Sequence, residues 1–338
     1  MATRGANVPT LADWAKKLDG EGRVSQDIVE LLSLNNEALD DIVFQQGNLP
    51  TGTRLVMRTG LPTAFWRLYN QGTSVSKSTT AQVDEQCGTL EAWSEVDAEL
   101  AELGGDVNAF RYSEAIAFVE AMNQEMLSTL FYGNSSVSQA EFTGFSIRYS
   151  DSTAANGANI INGGGTGSDN ASIWLICWGA QSAYGMFPKG SKAGLQHKDF
   201  GKVVVETAGN TAEGKRMEAY REMWRWQMGI ALKDWRYHVR APNIDISNLV
   251  AESSNADLIK IMIKMLHRIP KGALGSTRAA FYMNRTCEQF LDIQSYAAVK
   301  AGGQLKYEDV AGRKVLTFRG VPIRGVDALL ETEAAVSF

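Results

Sequence analysis

The sequence predicts an α+β fold, and three observations carry that prediction. An amphipathic stripe runs from Asp106 to about Phe131, and apolar runs of strand character stand on both sides of it. Helical and strand patterns then mix without the regular βαβ alternation of a doubly wound sheet.

The first stretch reads as an arm. Ser25 and Asp27 suit a cap for a short helix carrying Ile28, Leu31 and Leu32, and Asn35-Asn36 interrupts it. Ala38, Leu39, Ile42 and Val43 resume an apolar face. Such short helices bury little against each other and need a larger body to lie on.

From Gly47 to about Trp93 the character changes. Leu49-Pro50-Thr51-Gly52 signals a turn before a strand over Arg54-Leu55-Val56-Met57-Arg58. Gly60-Leu61-Pro62 turns again, and Phe65-Trp66-Arg67-Leu68-Tyr69 predicts a second strand. Gln71 to Gln86 is rich in Ser, Thr and Gln, and reads as a long extended loop or hairpin with few core residues. An isolated hairpin is marginal in water, so a neighbouring molecule completes it or it stays mobile.

In the long helix, Ile116, Val119, Met122, Met126 and Leu130 recur three or four apart, and Gly133-Asn134 supplies a stop. At ~1.5 Å per residue the rod spans roughly 36 Å, enough to serve as a domain's backbone. Ser150 to Asn170 is a loop by composition. Ser172 to Gly179 reads as a buried strand closed by glycine, and alternation from Tyr220 to Leu232 as a long strand that Trp235 to Arg240 continues. Asn255 suits a cap for a helix burying Leu258, Ile259, Met262, Met265 and Leu266, ended by Pro270. Lys314 to Phe318, the turn Arg319-Gly320, and Val321 to Arg324 predict a hairpin.

Composition excludes some classes. Of 338 residues, 44% are hydrophobic, ample for a core, and a net charge of -5 gives no basic balance pointing to nucleic acid. Cys87, Cys177 and Cys287 are too few and too far apart for a disulfide framework or zinc site, and read as buried thiols in a reducing cytosol. The expectation is a soluble protein made in a cytoplasm, because neither a signal-peptide run nor an apolar membrane-spanning stretch stands out.

The catalytic candidates fare poorly. Gly185-Met186-Phe187-Pro188-Lys189-Gly190-Ser191-Lys192 comes near a phosphate-binding loop, but serine and lysine are swapped and Pro188 removes an amide donor. An exposed basic loop making subunit contacts is the better reading. The Gly163 to Gly167 run lacks the phase of a dinucleotide site and reads as a flexible surface loop. His197, His238 and His267 stand at no metal-ligand spacing, and no nucleophile motif accompanies them. No catalytic residue, cofactor or metal is expected. Trp174, Trp178, Trp224, Trp226 and Trp235 read as core. Trp66 and Tyr69 differ, because their segment has little core of its own. With Arg54, Arg58 and Arg67 they are the candidate subunit-interface residues.

The order of parts resembles the Hong Kong 97-like capsid fold of tailed-bacteriophage major capsid proteins. Local runs are similar too, among them Ile160 to Gly167, Ser172-Ile173-Trp174-Leu175, Pro188 to Gln196, Asp234-Trp235-Arg236-Tyr237, Asn243-Ile244-Asp245, Phe281 to Arg285 and Gly320 to Arg324. The resemblance covers about residues 25 to 335. It implies an N-terminal arm over 1–46, an extended loop over 47–95 and a peripheral domain with a spine helix over 96–150. An axial domain over 151–270 follows, completed by strands and a helix over 271–338. It further implies a structural, non-enzymatic subunit in the virion, assembled in the bacterial host cytoplasm into hexamers and pentamers of an icosahedral shell. Its implied partners are other copies, a separate scaffolding protein, a portal protein, possible decoration protein and sequence-independent packaged DNA, with no membrane. Lys77 is the only lysine of the loop region, and no acceptor for a covalent cross-link is matched. The rival readings are another phage ring protein, of tail or portal, and a nucleotide-dependent enzyme using the Gly185 to Lys192 loop.

Overall fold

The computed structural model describes residues 8–10, 13, 38–103, 105–207, 215–251, 257–299, 305–310 and 313–338. The expected arm helix at Ser25 to Leu32 and the cap at Asn255 lie outside these residues. In chain order the strands are β1 (Phe44–Gln46), β2 (Gly52–Gly60), β3 (Thr79–Gln86) and β4 (Gly88–Asp97). Next come β5 (Asn170–Trp178), β6 (Ala183–Phe187), β7 (Leu195–Thr207), β8 (Lys215–Leu232) and β9 (Val239–Asp245). Then β10 (Arg278–Met283), β11 (Leu305–Val310), β12 (Arg313–Phe318) and β13 (Val321–Gly325) follow. The long helices are α1 (Val107–Tyr132), α2 (Leu258–Arg268) and α3 (Arg285–Val299). The chain divides into two compact units. One is Met1–Asn36, Thr89–Ser128 and Gly194–Gln227, the other Glu37–Gly88, Thr129–Ala193 and Met228–Phe338.

The larger unit is built around β5. Its nine residues are all buried, as the continuous apolar run requires of a strand covered on both faces. β10 pairs antiparallel with it, Ala280 opposite Ile176, and β9 pairs antiparallel along the other edge, Trp174 opposite Arg240. Ile173, Leu175 and Cys177 join a core with Ile261, Met262 and Met265 of α2 and Leu291 of α3. Trp174 and Trp178 alternate to the opposite face, where Phe131, Phe145 and Tyr149 pack around them with ring centroids 5.7 to 6.1 Å apart. Each such side chain contributes about 1.5–3 kcal/mol on burial, which makes this strand the energetic centre of the unit. The expected hairpin is present: Phe318 faces Val321 across a turn in which Arg319 and Gly320 have φ of 52° and 79°. Positive φ at both central residues suits the right-handed strand twist, and glycine takes one of them without strain.

In the smaller unit β7 pairs antiparallel with β8, His197 opposite Trp224, with a bulge between Asp199 and Gly201. Phe118 of α1 stacks on Trp224 at 5.4 Å, and Phe110 packs with Val96 and Ala101. Arg111 pairs with Asp199 at 2.7 Å and with Glu222, whose other oxygen lies 3.0 Å from His197 Nε2.

Several expectations need correction. Phe65 to Tyr69 is not a strand; the partner of β2 is β3, and residues 61–78 form the irregular connection. The α1 stripe is buried only in its second half. Met122 and Met126 are covered, whereas Ile116 and Val119 remain 37% and 38% exposed. Trp235 to Arg240 does not continue β8. Asp234 accepts from Arg236 N and starts a single 3₁₀ turn over Trp235–Tyr237 before β9. The cap of α2 is Asp257, which accepts from Lys260 N, not Asn255. The Gly163 to Gly167 run is no loose surface loop. Gly163 N and Gly165 N donate to the Pro242 and Asn243 carbonyls at 2.9 and 2.7 Å, and a Cβ at Gly163 would lie 2.6 Å from Asn243 O.

Candidate subunit interface

The β2–β3 hairpin has a tightly built root. Leu55 packs with Tyr184, Met186 and Ala231. Gly52 is obligatory there, because a Cβ would sit 2.0 Å from Glu85 O. Glu85, 8% exposed, takes a bidentate pair from Arg148, at 2.5 and 2.7 Å, and Arg148 also donates to Thr143 O at 3.1 Å. Asn48 clamps the backbone of Arg54, accepting from its N–H at 2.7 Å and donating to its carbonyl at 2.9 Å.

Beyond the root the hairpin leaves its support. Arg54 stands directly opposite Asp84 and binds it through two hydrogen bonds of 2.7 Å. The guanidinium holds the Asp84 carboxyl below the usual carboxylate range. Arg58 is exposed on the same strand. At the tip, Arg67 Nε donates to Gln71 O at 2.8 Å and Ser76 Oγ to Thr63 O at 2.7 Å, closing the loop on itself. Asn70 turns the chain there at φ 63°.

These internal bonds leave the apolar side chains in solvent. Trp66, Tyr69 and Val75 are essentially fully exposed, and Leu61, Leu68 and Phe65 are more than half exposed. Between Arg58 and Val83 the chain carries Arg58, Arg67 and Lys77 and no acid. Four of the five candidate residues thus lie on or beside one cationic, aromatic surface, while Arg54 spends its charge on Asp84.

Sequence reasoning missed a buried cluster that ties the C-terminal segment to the sheet. Arg240 and Glu333, each 4% exposed at the side chain, pair at 2.9 Å. Glu333 also accepts from Tyr132 Oη at 2.5 Å and from Ser172 Oγ, and Arg240 donates to Tyr149 O at 3.0 Å. Val336 N and O are held by Asn243 at 2.8 and 2.7 Å. No local pattern signals a pair 93 residues apart. His238 is sealed nearby. Its Nδ1 accepts from Cys177 N at 3.3 Å, and burial pushes its pKa down to about 3. The Gly185 to Lys192 loop has Pro188 buried and Lys189 N bonded to Leu49 O at 3.1 Å.

Comparison with known proteins gives these features a setting. The family model for major capsid protein GP7 matches residues 19–337. No curated protein sequence matches the chain. Among solved structures, a chain of bacteriophage Epsilon15 superposes with a TM-score of 0.80 at 30% identity, over 99% of both chains. The bacteriophage JBD30 capsid gives a TM-score of 0.47 at 9% identity, over 90% of this chain and 94% of that one. The capsid of the native GTA particle gives 0.44 at 9%, over 70% and 99%. Likenesses at these last two levels carry no argument. The mixed α+β architecture is Hong Kong 97-like. Matched along nearly its whole length, the chain belongs to the GP7 family of major capsid proteins.

Proposed function

We propose that many copies of this chain close into the icosahedral head shell that encloses a tailed bacteriophage's genome, each copy seating its 61–78 loop on an adjoining copy. The carrying observation is a rigidly anchored hairpin whose tip exposes Trp66, Leu68, Tyr69 and Val75 together. Contiguous apolar surface of this kind marks an interface. Burial against a neighbour contributes about 1.5–3 kcal/mol for each large side chain, and a closed lattice repeats that gain at every copy.

In this reading Arg58, Trp66, Arg67 and Tyr69 contact the neighbour, and Arg54 orders the hairpin beneath them. Residues 1–46 serve as arm, 47–95 as extended loop, 96–150 as peripheral domain, and 151–270 with 271–338 as axial domain. Hexamers and pentamers, a separate scaffolding protein, a portal protein, a decoration protein and sequence-independent DNA contact complete the partners, with assembly in the host cytoplasm. A structural rather than catalytic role is supported by the thiols. Burial pushes Cys87 and Cys287 up to about 12 and Cys177 to about 11, far from a reactive thiolate.

The test is the double substitution Trp66→Ser and Tyr69→Ser. Neither side chain has support within the chain, so the subunit keeps its wild-type circular dichroism and melting. Shells seen by electron microscopy disappear. Wild-type yields of shells from that variant would refute the seated loop.

A further inference from the structure

A second feature lies in the larger unit, in a hollow of about 350 Å³ lined by Asp41, Thr277, Arg278, Arg319, Gly320 and Pro322 among others. Its charge balance is unusual for this chain. Arginines here generally carry their own acid: Arg54 has Asp84, Arg148 has Glu85, Arg236 has Asp234, Arg240 has Glu333 and Arg285 has Asp327. The one carboxylate lining the hollow, Asp41, is already engaged, by Arg324 Nε at 3.1 Å and by Tyr282 Oη at 3.0 Å. Arg278 is exposed and has no carboxylate partner among the described residues. Arg319 contributes a second guanidinium to the same lining. Two cations therefore face this space with no spare anion.

The mounting is stiff. Arg319 sits in a two-residue turn at φ 52°, its guanidinium 5.8 Å from the Phe318 ring. Arg278 opens β10, which is locked in register to β5 on one side and to β13 on the other. The space is too small for a folded segment of another protein but takes a phosphate with its flanking sugars. Guanidinium forks suit phosphate oxygens, and stiff mounting lowers the ordering cost of binding.

We infer that this hollow is a phosphate site, through which the chain holds the backbone of the nucleic acid inside the shell. The inference rests on the shell reading and adds the place of contact. The contact is sequence-blind, because phosphates carry no base information.

The experiment measures binding of the full-length chain to a short fluorescent DNA duplex across a salt series, for wild type and for Arg278→Gln with Arg319→Gln. A variant losing the same charge at paired sites, Arg236→Gln with Arg285→Gln, is the control; Arg278→Gln alone serves if the double variant does not fold. Each phosphate released flattens the dependence of log K on log salt by about 0.9, so the double variant binds several-fold more weakly with a slope about 0.9 shallower. The control keeps the wild-type slope. Equal slopes in all three overturn the site, and so does an equal loss in the control. Loss of inorganic phosphate binding alone, with duplex binding intact, overturns the nucleic-acid assignment, as does loss confined to an acidic peptide. Electron microscopy of the same preparations separates the two readings. Shells with unchanged DNA slopes sink only the phosphate site, whereas wild-type chain that forms rings or tubes instead of shells sinks the reading beneath it.

Discussion

Replacing Glu333 by alanine tests the buried C-terminal cluster. The carboxylate takes Arg240 Nη2 at 2.9 Å, Tyr132 Oη at 2.5 Å and Ser172 Oγ, all in surroundings closed to water. Its removal leaves a guanidinium with 4% of its side chain exposed and no counter-charge. Breaking a buried pair from one side costs about 3–5 kcal/mol, much of it the stranded charge. The lower end fits here, because Arg240 keeps the Tyr149 and Ser146 carbonyls at 3.0 and 3.2 Å. Removing both charges, by Arg240→Met with Glu333→Leu, strands nothing and costs much less. The assay is urea unfolding of the unassembled chain followed by circular dichroism. The midpoint falls while the slope m holds, because the surface exposed on unfolding changes little. A loss below about 1 kcal/mol for Glu333→Ala, or a double variant as weak as the single one, would refute the reasoning.

Three further outcomes follow from the same geometry. His238 titrates near 6.5 when unfolded but at about 3 when folded, so the unfolded chain gains the proton first and stability falls as pH drops through that window. Relative to neutral pH the loss is about 2.7 kcal/mol near pH 4.5, and His238→Asn, which keeps an acceptor for Cys177 N, removes that component; identical pH slopes in both proteins contradict it. Gly52→Ala drives a Cβ against Glu85 O and lowers the melting temperature by an overpacking cost of about 1–3 kcal/mol, and an unchanged melt denies that the root is closely packed. Trypsin cuts the free chain after Arg67 and Lys77 but spares assembled shells; equal cutting in both states leaves the loop outside any contact.

Much of the architecture was legible because local pattern and global fold agree. The apolar run Ser172 to Trp178 became a strand covered on both faces, and Arg319-Gly320 became the turn it predicted. The errors share a cause, since each pattern depended on what lies opposite. Phe65 to Tyr69 has strand-forming residues but no strand beside it within the chain, and β propensity is realised only through neighbours. Ile116 and Val119 satisfy helical spacing yet face solvent for the same reason. Glycine-rich composition at Gly163 to Gly167 suggested looseness, whereas small residues also permit backbone to pack on backbone, as they do against Asn243. Of the interface candidates, the exposure of Trp66 and Tyr69 was legible from a core-poor segment. The Arg148–Glu85 clamp beneath it was not, because 63 residues separate its partners.

The most direct test is an electron-microscopy density map of the assembled particle, traced through residues 61–78. Our reading places Trp66 and Tyr69 against the surface of an adjoining copy at every lattice position. Density showing both rings folded onto their own copy, or standing free in solvent, would contradict it.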